Sequence, residues 1–209
     1  PGPEIPGAVA VLDPKQPGCD YPYKELSGCG IGFKLIQAYT QRKGLPFSDL
    51  IQYLDLVAIS IASDIVDITG ENRILAHFGL RLINSNPRPG LEELLRLADV
   101  IKTEDHRGEF VFTRELSITD LVFMIGPRIN AAGRIESGRN SVRLLVAEEM
   151  AEARELARQI NAHNTERKTL DAQATFEASA MIGSDEILRN AKSTVVYNPN
   201  WHKGVIGIV

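Results

Sequence analysis

Short unbroken apolar runs and apolar residues spaced by three and four are the two patterns that alternate along this chain. The first kind reads as a buried strand and the second as one face of a helix. Ala8-Val9-Ala10-Val11-Leu12, following a Pro and a Gly, is an unbroken run and predicts a strand of a parallel sheet. Asp13 to Gly18, with two prolines and a glycine, then predicts a loop. Ile31, Leu35 and Ala38 recur at helical spacing over Gly30–Lys43, with Ser27 as the candidate cap. From Phe47 to Ile68 the chain predicts two helices that break near Asp55, the second heavily buried. Asn72–Ile83 predicts an amphipathic helix through Leu75, Phe78 and Leu82, weakened by Gly79, and Leu91–Ala98 predicts another. Thr69 to Asn72, Asn84 to Gly90 and Glu104 to Glu109 are expected turns or loops, and His106 is expected to be exposed. Ser117 or Thr119 is placed to cap a short helix through Leu121 and Met124.

Ala147 to Met181 contains neither Gly nor Pro. Its apolar residues at 150, 153, 156, 157, 160, 170, 174, 178 and 181 predict one helix about 50 Å long at 1.5 Å per residue. A helix of that length more often bridges two domains than sits inside one core, with His163, Asn164, Thr165 and Glu166 in solvent or at a contact. Gly183 is the expected stop, and Ser193-Thr194-Val195-Val196-Tyr197 predicts a strand of a new domain.

Composition narrows this picture little. The chain has 209 residues, 44% hydrophobic and 24% charged, which is ordinary for a soluble globular protein. A formal net charge of −4 argues against a bulk basic nucleic-acid binder but leaves room for a local basic groove. No apolar stretch is long enough for a membrane span. Cys19 and Cys29 are too few for a disulfide framework and read as reduced thiols of a cytosolic protein. The chain lacks an initiating Met and ends inside the apolar run Val205 to Val209, which suggests a piece of something longer.

Candidate chemistry concentrates in Gly126-Pro127-Arg128-Ile129-Asn130-Ala131-Ala132-Gly133-Arg134. Arginine forks match phosphate oxygens and glycine lets the backbone come close to an anion. The alternative is a helix end and turn with solvated arginines. Arg139 and Arg143 follow, making four arginines within sixteen residues, with only Glu136 against them. Asp64 ends the largely apolar run Leu56 to Ala62, where a carboxylate needs a partner, a metal or solvent. His202 stands at an expected strand-to-helix turn, either presenting imidazole to a ligand or serving structure. Gly28-Cys29-Gly30-Ile31-Gly32 fails as a dinucleotide fingerprint, because Phe33 holds the third glycine position. Close helix packing through glycine is the better expectation there.

Five segments in order resemble the bacterial single-strand-specific 5′→3′ exonucleases of the DHH phosphoesterase superfamily. They are Leu12 to Cys19, Gly30 to Leu35, Ala62 to Val66 with Thr69 to Arg73, Gly126 to Arg134, and Trp201-His202 with Gly204 to Val209. The resemblance implies an α/β, helix-rich fold. Residues 1–146 would be the C-terminal part of a parallel-sheet DHH domain, 147–182 a long inter-domain helix, and 183–209 the beginning of a DHH-associated domain that binds nucleic acid. It further implies Asp64 as a catalytic Mn²⁺ or Mg²⁺ ligand of a two-metal site. Arg128, Asn130 and Arg134 would contact phosphate, with His202 and Gly204 on the partner wall of a DNA cleft. Single-stranded DNA is the implied substrate, with a helicase and single-strand-binding protein as cellular partners, in the cytoplasm. The family's Asp-rich motif and Asp-His-His triplet are absent. In the family a Pro-Gly-rich loop much like Pro1 to Glu4 follows that triplet, so the chain is expected to begin just downstream of it and to be inactive alone. Asp67 and Lys203 are smaller departures. Two rivals stay open: another enzyme of the superfamily, acting on short oligonucleotides, cyclic dinucleotides or pyrophosphate, and a binding module without metals. Against the first stands Trp201-His202, where those relatives carry a Gly-Gly-Gly-His pattern.

Overall fold

The structure is a computed structural model that describes residue 4 and residues 6–135 and 137–206. Helices dominate it: α1 (Gly28–Lys43), α2 (Ser48–Ile51), α3 (Leu54–Asp64), α4 (Gly70–Ser85), α5 (Pro89–Arg96), the single turn α6 (Ile118–Asp120), α7 (Gly126–Ile135), α8 (Arg139–Val146), α9 (Met150–Ser184) and α10 (Glu186–Asn190). Between α5 and α6 lie β1 (Lys102–Glu104) and β2 (Phe110–Phe112), an antiparallel pair with Thr103 opposite Val111.

α3 is the centre. Leu54, Val57, Ala58, Ile59, Ile61 and Ala62 are all buried, so the helix is apolar nearly all round, as an enclosed helix must be. One side packs Val57 and Ile61 with Phe33 of α1 and Ala76 of α4; the other joins Ala58 and Ala62 to the larger core of α5, α7, α8 and α9. The expected break near Asp55 falls two to three residues earlier, at Gln52 and Tyr53. Asp55 belongs to the first turn of α3, where a carboxylate suits the helix dipole. It is buried, and Arg88 grips it through both Nε and a terminal nitrogen while also donating to Leu145 O at 3.0 Å. Gly79, which weakened the helical pattern of α4, is what lets α4 meet α3: a Cβ there would stand 2.2 Å from Leu54 O.

The Ser27 cap is present, with Oγ accepting from Gly30 N at 3.2 Å. Ser117, not Thr119, begins α6, in a capping box with Asp120. Arg114 donates to both Asp120 oxygens and Ser117 N to one of them, so these partners hold the Asp120 carboxyl well below the usual carboxylate range. Leu121–Ile125 then runs as a π-helical turn into α7.

α9 spans 35 residues, about 52 Å. Its first half buries Ala153, Leu156, Ala157 and Ile160 in the main core, so it belongs to that core rather than merely leaving it. It passes Gly183 and ends at Ser184. Ala174 and Ala178 are buried farther along, where residues 185–206 fold back; Trp201 Nε1 donates to Glu177 at 2.8 Å and Asn198 Nδ2 donates to the same oxygen at 3.0 Å. Gln173 Nε2, donating to the other carboxylate oxygen at 2.9 Å, acts first among these donors to draw the Glu177 carboxyl below its ordinary value, with Trp201 and Asn198 adding to it.

Several expectations fail. Among the described residues there is no parallel sheet; the two-stranded hairpin is the sheet present. Ala8–Leu12 is not a strand, since among the described residues no neighbouring strand takes its backbone groups, and Val9 is fully exposed. Ser193–Tyr197 is likewise irregular, with Val195 and Tyr197 exposed. Glu104 to Glu109 does carry the expected turn, at the tip of a hairpin closed by Asp105 N donating to Glu109 O at 2.8 Å. Gly28 and Gly32 have nothing within 4 Å of an added Cβ, so close packing does not explain them. Pro1 to Pro3, Glu136 and Gly207 to Val209 lie outside the described residues.

Candidate nucleic-acid interface

The arginine-rich stretch is the helix α7, and its two arginines point to different tasks. Arg128 is half-buried. Its Nε donates to Asn161 Oδ1 at 3.0 Å, and its terminal nitrogens donate to Met124 O at 2.6 Å and Leu97 O at 3.1 Å. One guanidinium thus ties α9, the π-helical turn and the end of α5 to α7. Burial lowers its pKa, and the Asp99 carboxylate opposes the shift; a guanidinium stays charged under either influence. Three of its five N–H groups are committed inside the protein, which leaves two for any other acceptor.

Arg134, at the other end of α7, is exposed, and among the described residues its side chain donates to Gly204 O at 3.3 Å. Gly204 lies so close to the end of α7 that a Cβ would stand 2.5 Å from Arg134 O. Beside it Gly204 N donates to His202 Nδ1 at 3.1 Å, which places the imidazole hydrogen on Nε2 and leaves His202 a donor from that nitrogen. Asn130, one turn before Arg134, donates to Ser63 O at 3.0 Å. Asn130, Arg134, His202 and Gly204 are therefore brought together, and Asn130 links them to the end of α3 that carries Asp64.

Asp64 is exposed, with Ser60 Oγ donating to it at 3.3 Å. The next residue, Ile65, ends α3 in the left-handed region at φ 52°, a conformation β-branched residues avoid. A two-metal hydrolytic site needs several carboxylates and imidazoles around ions about 3.5–4 Å apart. Among the described residues no three His, Cys, Asp or Glu side chains gather in that way, so the residues present do not fit the metal pair. Asp67 and Lys203 are exposed, and Asp67 serves through its backbone, accepting from Tyr23 and Asn72.

The fourfold arginine patch also divides. Arg143 pairs with Glu152 at 3.0 Å, both exposed, while Arg139 is exposed beyond α7. Pattern reading missed Arg167. It reaches from the middle of α9 to the cleft of 170 Å³ that Ser63, Asn130 and Arg134 also line. Only its place beside the polar run 163–166 hinted at a role, because a single arginine on a long charged helix carries no pattern of its own.

No protein-family model matches the chain. The single-stranded-DNA-specific exonuclease RecJ of Bacillus subtilis is 39% identical over 209 residues, all of this chain and 24% of that protein. RecJ of Escherichia coli is 33% identical over 224 aligned residues, again all of this chain and 36% of that protein. The chain thus spans about a quarter to a third of the curated relatives it matches. Among solved structures, a RecJ bound to manganese aligns over 92% of this chain and 45% of that one, with a TM-score of 0.71 and 30% identity. The Thermus thermophilus RecJ in complex with Mn²⁺ aligns over 100% and 28%, with a TM-score of 0.72 and 29% identity. Among the described residues no helix is long and apolar enough to cross a membrane. In sequence from end to end, and in fold, this chain is related to one part of the RecJ exonucleases.

Proposed function

We propose that this chain forms the phosphate-holding wall of a RecJ-type exonuclease that degrades single-stranded DNA from the 5′ end, in repair and recombination. Arg134, Asn130, His202 and Gly204 contact backbone phosphates without reading bases, which suits an enzyme that accepts any sequence. Arg128 positions them by holding α7 in place. Residues 1–146 act as part of the DHH domain, α9 as the connector, and the residues after it as the start of the DNA-binding domain. The observation that carries this reading is the hydrogen bond from Asn130 to Ser63 O, which sets the donor end of α7 beside Asp64. Asp64 is one ligand of the family's Mn²⁺ or Mg²⁺ pair, and the other ligands are not supplied by the residues described. The 209 residues alone therefore bind single strands and do not cleave them.

A fluorescence titration with single-stranded and duplex oligonucleotides, with and without Mn²⁺, tests this. Binding that prefers the single strand, weakens with salt and leaves the strand intact is expected. No binding at low salt, or cleavage of the strand by these 209 residues, would contradict it. A second reading, a binding module without chemistry, is favoured by the absence of a ligand cluster among the described residues. Adding Asp64→Ala to a longer chain that cleaves separates the two: lost cleavage supports the exonuclease, unchanged cleavage the module.

A further inference from the structure

Two buried polar atoms without a partner meet at one cleft. Ser63 Oγ and Arg167 Nε are both enclosed and both lack a hydrogen bond, and their residues line the same 170 Å³ space with Asn130 and Arg134. An enclosed donor left unsatisfied costs about 1–3 kcal/mol, and a charged one more. Such a pair in one place signals a group that belongs there. Among the described residues Arg167 makes one weak hydrogen bond, a terminal nitrogen 3.5 Å from Asn164 Oδ1. Asn130 donates one amide hydrogen to Ser63 O and retains a second. Ser63 is held against the start of α7, because a Cβ on Gly126 would come within 3.3 Å of Ser63 Cα.

The lining has a sign. Among the described residues it contains two guanidinium groups, one amide and one hydroxyl, and no carboxylate; Asp64 follows Ser63 in the chain but does not line the cleft. Donors converging without an acceptor partner select an anion, and paired arginines favour a tetrahedral oxyanion. The volume is well below the roughly 300–1,000 Å³ of small-molecule sites, so it suits one phosphate group rather than a nucleotide.

We infer that Arg167 and Ser63 are the inner donors of a pocket for a single phosphate group, with Arg134 and Asn130 as the outer donors. The pocket's chemistry stands on the cleft itself. Its assignment to a backbone phosphodiester rests on the nucleic-acid reading above.

The test uses the arginine Nε–H signals of the ¹⁵N-labelled protein during titration with inorganic phosphate, with Arg167 assigned through Arg167→Lys. In parallel, a labelled twelve-residue oligothymidylate is titrated by fluorescence anisotropy against wild type, Arg167→Lys, Arg167→Ala and Ser63→Ala. A saturable shift of the Arg167 signal, reduced in Ser63→Ala, is expected. So is an oligonucleotide affinity about tenfold weaker in Arg167→Ala, with a salt slope smaller by about 0.7. Phosphate binding without oligonucleotide binding upholds the pocket and removes the nucleic-acid reading. Oligonucleotide binding that is equal in all four proteins, with no shift of the Arg167 signal, overturns the pocket and leaves that reading intact. The phosphate titration of wild type decides even where Arg167→Ala fails to fold.

Discussion

The inner face of α7 and its C-terminal end carry one arginine each, and the surroundings give the two opposite uses. Arg128 faces α5, α9 and the π-helical turn, where backbone carbonyls and Asn161 take its hydrogens. Arg134 faces the returning tail, where it donates to Gly204 O. Composition and spacing treat the two alike. Packing separates them, because a guanidinium enclosed by acceptors is a structural tie and one at a cleft rim remains available to an incoming anion.

The largest expected effect comes from breaking the inner tie. Arg128→Ala leaves Leu97 O, Met124 O and Asn161 without their donor and lowers stability by about 3 kcal/mol, or roughly 6–12 °C in Tm. Arg134→Ala stays within about 0.5 kcal/mol of wild type in the same urea titration. Equal losses would erase the distinction. Next in size is Gly204→Ala, which forces a Cβ toward Arg134 O and loosens the tail by about 1–2 kcal/mol. Hydrogen exchange at the Val205 amide, which donates to His202 O at 3.0 Å, should accelerate while α3 amides stay protected. Unchanged exchange would detach the tail from the argument for a shared cleft.

Acid tests the segment that leads into α7. The folded Asp120 pKa is depressed, so its contribution is present above the unfolded carboxylate value near 4 and is lost as pH falls below it. Asp120→Asn should flatten that part of the stability profile below about pH 4; an unaltered acid limb would show that Arg114 and Ser117 do not act through Asp120. The smallest effect is expected at Arg143→Ala, within about 0.5 kcal/mol, because its pair with Glu152 is exposed.

The helical parts of the fold were legible because periodicity records burial directly. Ala153, Leu156, Ala157 and Ile160 are spaced as a buried stripe and are buried. Caps were legible for the same local reason, as at Ser27. Strands were not, since Ala8–Leu12 has an apolar run but no neighbour to pair with among the described residues. At the site, the sequence marked α7 and Asp64 but not their inventory. Arg128's inward turn depends on carbonyls at 97 and 124 and a side chain at 161, and Arg167 joins the cleft only through the packing of α9 on α7. Those are tertiary facts with no local pattern.

The division between an inner tie at Arg128 and a phosphate contact at Arg134 stands or falls on the salt dependence of oligothymidylate affinity, compared across wild type, Arg134→Ala and Arg128→Lys. A slope smaller by about 0.7 is expected for Arg134→Ala, the loss of one phosphate contact to a single strand, and an unchanged slope with reduced stability for Arg128→Lys. An unchanged slope for Arg134→Ala, or the smaller slope appearing in Arg128→Lys instead, would contradict it.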